Sequence, residues 1–417
     1  MKSVSAKILS LLLSLFVLQV YAQNSSSYSR YAIGDIEYSH SVRRMGMGQL
    51  GIAISDVDFI SVLNPASLYK IGKTRIEFNM NYNGIFLSDN AQKKYFAETE
   101  FSGFTFGFPI SSDNGIGFAI GLVPFTNVSY KAVQNFVSTN PLISDYKIEY
   151  SGVGGLSKAF LSSSYLLPFD AAIGASVDYY FGDIDYKSRV DFPNSSSLSS
   201  LYIRNQSYRG IGGTFGVISP DIAKILELKS VSDFRLGFST NIFSTIKDDT
   251  LYTAESFLNI DTLSSGRGEV NIPNKIILGL SFVLHNEYTF CLDYAVQDWS
   301  AFKSNGNSSS FLRNYNKISA GFEYRPQRVL GSSFGEQIIL RAGLSLEQTQ
   351  YKLNNTGINQ YSVSLGASLP ISNETYFDLA LVYSRKGTKE NNLLQEDIIK
   401  LGIGLSLGEL WFIRQEK

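Results

Sequence analysis

The chain has 417 residues, with 36 Lys and Arg against 37 Asp and Glu, a formal net charge of -1. No basic excess is available to replace phosphate counterions, which argues against nucleic acid as a partner. Charged residues make up only 18% and aromatics reach 13%, with 29 Phe, 25 Tyr and 35 Gly, yet the mean hydropathy of -0.01 excludes a helical membrane protein.

A transmembrane β-barrel reconciles these figures, because alternate strand positions face lipid and a polar lumen. One cysteine, Cys291, excludes an internal disulfide and a cysteine-based metal cluster. The only histidines are His40 and His285.

Residues 1–22 have the pattern of a secretory signal peptide. Lys2 and Lys7 form its positive end, Ile8–Leu18 its apolar core and Val20-Tyr21-Ala22 its cleavage site. No cysteine follows, so no lipoprotein anchor is expected. A secreted, aromatic-rich chain of this kind belongs in a Gram-negative outer membrane.

Residues 23–72 are expected to form an N-terminal plug. Met45–Tyr69 is too Gly-rich and irregular in period for a regular element. Its main charges are Arg43, Arg44, Asp56 and Asp58. They are read as salt bridges to a surrounding wall; the alternative is an arginine meeting an anionic ligand head group.

From residue 73 to 417 the pattern is that of a barrel. In Ile76–Tyr82 every second residue is apolar, the period of a strand with two different faces. The same alternation recurs at Phe290–Val296, Ile318–Tyr324, Leu340–Leu346 and Ile399–Leu407. Fourteen strands are predicted, starting near Thr74, Thr99, Gly115, Lys147, Phe169, Ser207, Ser232, Pro273, Glu287, Asn314, Gln337, Ile358, Glu374 and Asp397. Short turns at Ser111–Asn114, Leu284–Asn286 and Ile371–Asn373 alternate with longer polar loops at Phe125–Tyr146, Ile184–Gln206, Ile246–Ile272 and Trp299–Arg313. That asymmetry is characteristic of outer-membrane barrels. Ser219–Val231 is a long linker on the short side, with room for a small helix at Asp221–Leu228. The terminal Trp411-Phe412 resembles the signal read by the outer-membrane insertion machinery, although the charged tail Arg414–Lys417 follows it.

Predicted inward positions include Glu77, Asp293, Glu323, Arg325, Arg341, Glu347, Asp378 and Lys400. Their mixed signs count against a charge-selective porin and suit a network that clamps the plug, with Arg325 and Arg341 as the alternative ligand contacts. In the third strand, Gly117, Gly121 and Pro124 weaken the ladder, so a bend or gap is favoured there. The alternative is that Pro124 ends the strand at the membrane surface. Neither histidine has a nucleophile or carboxylate at catalytic spacing, so no enzyme, metal or cofactor is expected.

At Asn64-Pro65-Ala66 the chain resembles the FadL-type family of outer-membrane transporters. The resemblance implies an N-terminal hatch inside a fourteen-stranded all-β antiparallel barrel, with long-chain fatty acids or other hydrophobic compounds as cargo. It also implies a lateral opening in the third strand. The loop Ile184–Gln206 departs from the family's apolar capture surface, since it runs Asn194-Ser195-Ser196-Ser197, whereas Ile246–Ile272 holds Tyr252, Phe257, Leu258 and Ile260. The expected function is passive uptake of a hydrophobic small molecule by plug displacement and lateral exit among outer-membrane lipids. The alternative is a non-transporting barrel serving as a structural or partner subunit of a larger outer-membrane secretion or assembly complex. Transport requires an apolar pocket between plug and wall; a partner role predicts a blocked lumen.

Overall fold

The computed structural model describes residues 26–38, 40–137, 145–192, 199–256, 259–327, 333–372 and 374–409. The signal segment 1–22 and the pair Trp411 and Phe412 lie outside these residues. The wall has fourteen antiparallel staves, in agreement with the predicted architecture: β1 (Thr74–Ser88), β2 (Lys93–Ser111), β3 (Ile116–Pro124, then Thr126–Phe136), β4 (Tyr146–Leu166), β5 (Ala172–Asp191), β6 (Ser200–Ile218), β7 (Val231–Phe243, then Ile246–Glu255), β8 (Ile260–Asn271, then Lys275–Leu284), β9 (Tyr288–Gln297), β10 (Tyr315–Tyr324), β11 (Ile339–Leu353), β12 (Thr356–Pro370), β13 (Tyr376–Gly387) and β14 (Gln395–Glu409). Each pairs with its successor, and β14 returns to β1 with Thr74 opposite Glu409 and Ser88 opposite Gln395, so the ring closes.

Alternation decides which side chain faces which way. On β11, Leu344 and Leu346 are more than half exposed on the outer face, while Arg341 and Ser345 are buried inside. On β14, Ile399, Leu401 and Ile403 point outward and Glu396 is fully buried. Between β8 and β9 the three-residue turn 285–287 carries His285 and Asn286 in left-handed backbone angles (φ 51° and 58°), as a tight hairpin turn favours.

Three expected loops are largely strand. β3 continues to Phe136, β5 to Asp191 and β7 to Glu255, while β6 and β8 already begin at Ser200 and Ile260. The expected starts Thr99, Ser207 and Pro273 therefore fall inside strands or at a break in one. The physical reason is a change of outer face. Beyond the membrane the outward row becomes charged (Lys147, Glu149, Lys187, Arg189, Lys247, Asp249), while the inward row keeps Tyr130, Tyr150, Tyr186, Tyr202 and Tyr252. Period two persists, but charge breaks up the greasy outer row that advertises a barrel strand, leaving scattered members such as Val133, Val153 and Leu251. The result is a tall sheet over β3–β8, facing a low rim where β11 and β12 join through the two-residue turn Asn354-Asn355. Trp299–Arg313 likewise contains a helical turn at Trp299–Ala301 and a two-residue strand pair, Lys303–Ser304 with Asn307–Ser308. Of Asp221–Leu228, only Ile222–Ile225 is helical, with Asp221 accepting from the Ala223 N–H at 3.0 Å.

Residues 26–72 fill the ring. A helical turn, Val42–Met45, packs on β12, β13 and β14, and a 3-10 turn, Pro65–Lys70, packs on β3–β6. Met47, Leu50 and Ile52 are fully buried. Wall glycines admit the plug backbone: a Cβ on Gly343 would stand 2.1 Å from the Gly48 nitrogen, and one on Gly174 2.3 Å from that of Ala66.

Candidate functional site

The tripeptide Asn64-Pro65-Ala66 is a capped turn that ties plug to wall. Asn64 is fully buried. Its Oδ1 accepts from the Ala66 N–H at 3.1 Å, and its Nδ2 donates to the carbonyls of Ile52 (2.9 Å) and Val217 on β6 (3.4 Å). Pro65 occupies the first position of the turn, where no amide donor is needed.

Below this turn, three of the four predicted arginines converge. Arg43 from the plug pairs with Asp56 at 2.5 Å and forms a fork onto Glu323 of β10, Nε to Oε2 at 2.9 Å and Nη2 to Oε1 at 2.8 Å. Arg341 of β11 reaches the same Glu323 at 2.7 Å and donates to Ser368 at 2.6 Å. Arg325, just past the end of β10, closes the network on Asp56 at 2.6 Å and on Glu323 at 3.4 Å. Phe59 lies beneath Arg43, with its ring centre 4.5 Å from the guanidinium carbon. Burial works against the Asp56 carboxylate, but Arg325 and Arg43 outweigh it and hold its pKa well below the usual range. A bidentate, shared geometry of this sort is the arrangement in which buried charges are tolerated.

Arg44 is not part of the clamp. Its Nη2 donates to the Ile54 carbonyl at 3.2 Å and its Nη1 has no hydrogen-bond partner. Burial, with Arg43 nearby, lowers its pKa to about 10. Asp293 of β9 instead receives the backbone N–H groups of Gly51 and Ile52 at 2.8 and 2.9 Å.

The third strand breaks just after Pro124. β2 and β3 are paired up to Phe104 opposite Leu122. Past Phe125, the edge of β3 is taken by the plug: Ile36 pairs with Thr126 and Asp35 with Asn127. Two backbone bonds, Glu37 N–H to Phe125 and Ser26 N–H to Ser129, extend this contact at 3.1 and 3.0 Å. Gly117 and Gly121 sit in the paired half, opposite Pro109 and Thr105. A Cβ on Gly117 would meet the Leu68 carbonyl at 2.4 Å, so that glycine makes room for the plug.

Polar side chains fill the break. Asn127 Nδ2 donates to Glu98 (3.3 Å) and Glu100 (3.0 Å) of β2, and Asn83 donates to Glu100 at 2.8 Å. Lys400 of β14 lies 3.2 Å from Glu37 of the plug and 3.5 Å from Glu100. Behind them lies a cavity of about 120 Å³ whose lining includes Asp35, Glu37, Glu98, Asn127, Lys386 and Lys400. His40 borders the gap at Gly103; burial, helped by Lys158, Lys275 and Lys400, pushes its pKa well below the ordinary value, so it is neutral. Among the described residues no group of three or more His, Cys, Asp or Glu is placed to hold a metal ion. The sequence reading missed Asp35, Glu37, Glu98, Glu100, Asn127 and Lys386. Those on strands occupy inward positions, but Asn127 lies in a stretch taken as loop and Glu98 just ahead of the expected start of its strand, while Glu100 just past that start and Lys386 near the end of β13 stand where the alternation is weak.

A closed fourteen-stave wall filled by its own N-terminal segment is the fold of FadL-like outer-membrane channels. Solved structures agree. A Pseudomonas aeruginosa FadL homologue superimposes with a TM-score of 0.59 at 15% identity, over 90% of this chain and 98% of that one. The monoaromatic hydrocarbon channel CymD gives 0.56 at 16%, over 91% and 99%. The Ralstonia pickettii toluene transporter TbuX gives 0.56 at 14%, over 87% and 96%. The BamG family model matches residues 4–417, and the chain belongs to the BamG family. No curated protein matches it by sequence.

Proposed function

We propose that this chain is a fixed-plug, FadL-like barrel of the Gram-negative outer membrane that serves as a subunit of a larger protein-assembly complex. The observation that carries this reading is the chemistry of the break in β3. Glu98, Glu100, Asn127, Glu37 and Lys400 bridge it, so a hydrocarbon leaving sideways would have to displace paired charges. An apolar molecule carries no polar group to replace their partners, so its passage would leave those charges unpaired. The clamp around Glu323 supports the same reading, since plug displacement would break its two plug-to-wall pairs, Arg43 with Glu323 and Arg325 with Asp56, together. The family name points to a Bam-related complex. The same reading assigns no catalysis, and the expected surroundings are outer-membrane lipids and the insertion machinery.

The second reading is passage of hydrophobic small molecules, favoured by the interrupted third strand and by the channels that share the fold. Purification of the tagged chain in mild detergent, with quantification of co-purifying proteins and lipids, separates the two. A stoichiometric protein partner is the expected result. A chain that purifies alone and makes vesicles permeable to toluene would replace the first reading with the second.

A further inference from the structure

The linker between β6 and β7 sits at the short-turn end of the barrel, the periplasmic end in barrels of this kind. Isolated apolar side chains stand at or beside the other turns of this end: Ile110 near the end of β2, Phe169 and Ile371 are 60%, 63% and 50% exposed. They mark the level at which the outward apolar belt stops. The linker adds a cluster at that level. Ile225, Leu226 and Leu228 are 67%, 60% and 42% exposed, and only Ala223 of the helical turn is buried.

This cluster is rigidly presented. Asp221 accepts the backbone N–H groups of Asp233 (3.2 Å) and Phe234 (3.0 Å) at the start of β7. Arg235 donates to the carbonyls of Ser219 (2.9 Å) and Asp170 (3.0 Å), tying the linker to the turn that carries Phe169. Ser219 exchanges hydrogen bonds with Leu236, its N–H reaching the Leu236 carbonyl at 2.9 Å and its Oγ accepting the Leu236 N–H at 2.9 Å. Leu236 is itself an outward residue of the lipid-facing belt, 48% exposed. The linker thus begins on the belt and continues it.

From this we propose that Ser219–Ser230 is an interfacial foot, its Ile225, Leu226 and Leu228 seated among the phospholipids of the periplasmic leaflet. The composition fits lipid better than protein. The exposed apolar residues are aliphatic, without the Tyr, Trp and Arg anchors that dominate protein interfaces, and the one acidic residue among them, Glu227, is itself exposed. Lys224 and Lys229, both exposed, flank them, and such side chains reach from an apolar surface to phosphate head groups.

Leu226→Cys carrying an environment-sensitive fluorophore tests the proposal in vesicles of phosphatidylcholine brominated near the head-group end of the acyl chains. Cys291 is buried and does not compete for the label. Ser264→Cys, on the exposed far end of β8, is the control, and heat-modifiable migration checks that both variants fold. Emission from position 226 is expected to fall about twofold relative to unbrominated vesicles, with position 264 unaffected. Equal, unquenched emission at both sites would overturn the proposal. So would cross-linking of a label at 226 to another protein in native membranes without quenching in vesicles.

Discussion

The two ends of the plug are held by different physics. At the lower end, Arg43, Arg325 and Arg341 share Asp56 and Glu323 in a closely paired knot; Arg43, Arg341 and Glu323 are almost wholly buried, while Arg325 at its edge is 29% exposed. At the upper end, Asp35 meets Lys386 at 2.7 Å and Tyr351 at 2.8 Å, and Glu37 meets Lys400 at 3.2 Å, beside a polar cavity. One end is a lock of shared, forked pairs; the other is a latch of simpler lysine–carboxylate pairs beside a polar cavity. The contrast teaches where a plug of this kind would yield first.

Breaking the lock should have the largest effect. Glu323→Ala leaves the Arg43 and Arg341 guanidiniums buried and short of a partner, and should cost about 3–5 kcal/mol, read as a lowered temperature for loss of heat-modifiable migration. Adding Arg43→Ala should recover part of that loss. Acid should act next, on the same end. Asp56 titrates lower in the folded chain than in the unfolded one, so its contribution is whole above the unfolded value of about 3.9. It drains as pH falls through the folded value. Cleavage of the plug by added protease should therefore rise only at strongly acid pH, not between neutrality and pH ~5. Asn64→Ala, which removes the cap, a bond to Ile52 within the plug and one to Val217 on the wall, should cost about 1–2 kcal/mol. Lys400→Gln at the latch should cost about 1 kcal/mol or less, measured in the same melting assay. A Lys400 effect as large as that of Glu323 would erase the distinction between the two ends.

The strand count and closure were legible because outward Leu, Ile and aromatic residues alternate with polar ones wherever a stave crosses lipid, as in Leu340–Leu346 and Ile399–Leu407. The tall sheet was not, because Lys187, Arg189 and Asp249 replace grease with charge on the outer face. The clamp was partly legible: Arg43, Asp56, Glu323, Arg325 and Arg341 were all named as plug or inward charges. Their convergence depends on the register of β10 and β11, with Glu323 opposite Arg341, which spacing in the chain does not encode. Arg44 could not be told from Arg43 by sequence, since adjacent residues of a helical turn face different neighbours. The polar bridge across the third strand depended on a partner from β14, far away in the chain.

The pairing of Asp35 and Ile36 with β3 gives the N-terminal segment a second office. Those residues supply hydrogen bonds that β2 withholds, so they act as a short extra plank where the ring would otherwise show bare amides and carbonyls. Removing residues 26–72 would unseal the side of the cylinder as well as uncork its bore. Leakage in such a deletion would then have two apertures, one along the axis and one across the wall.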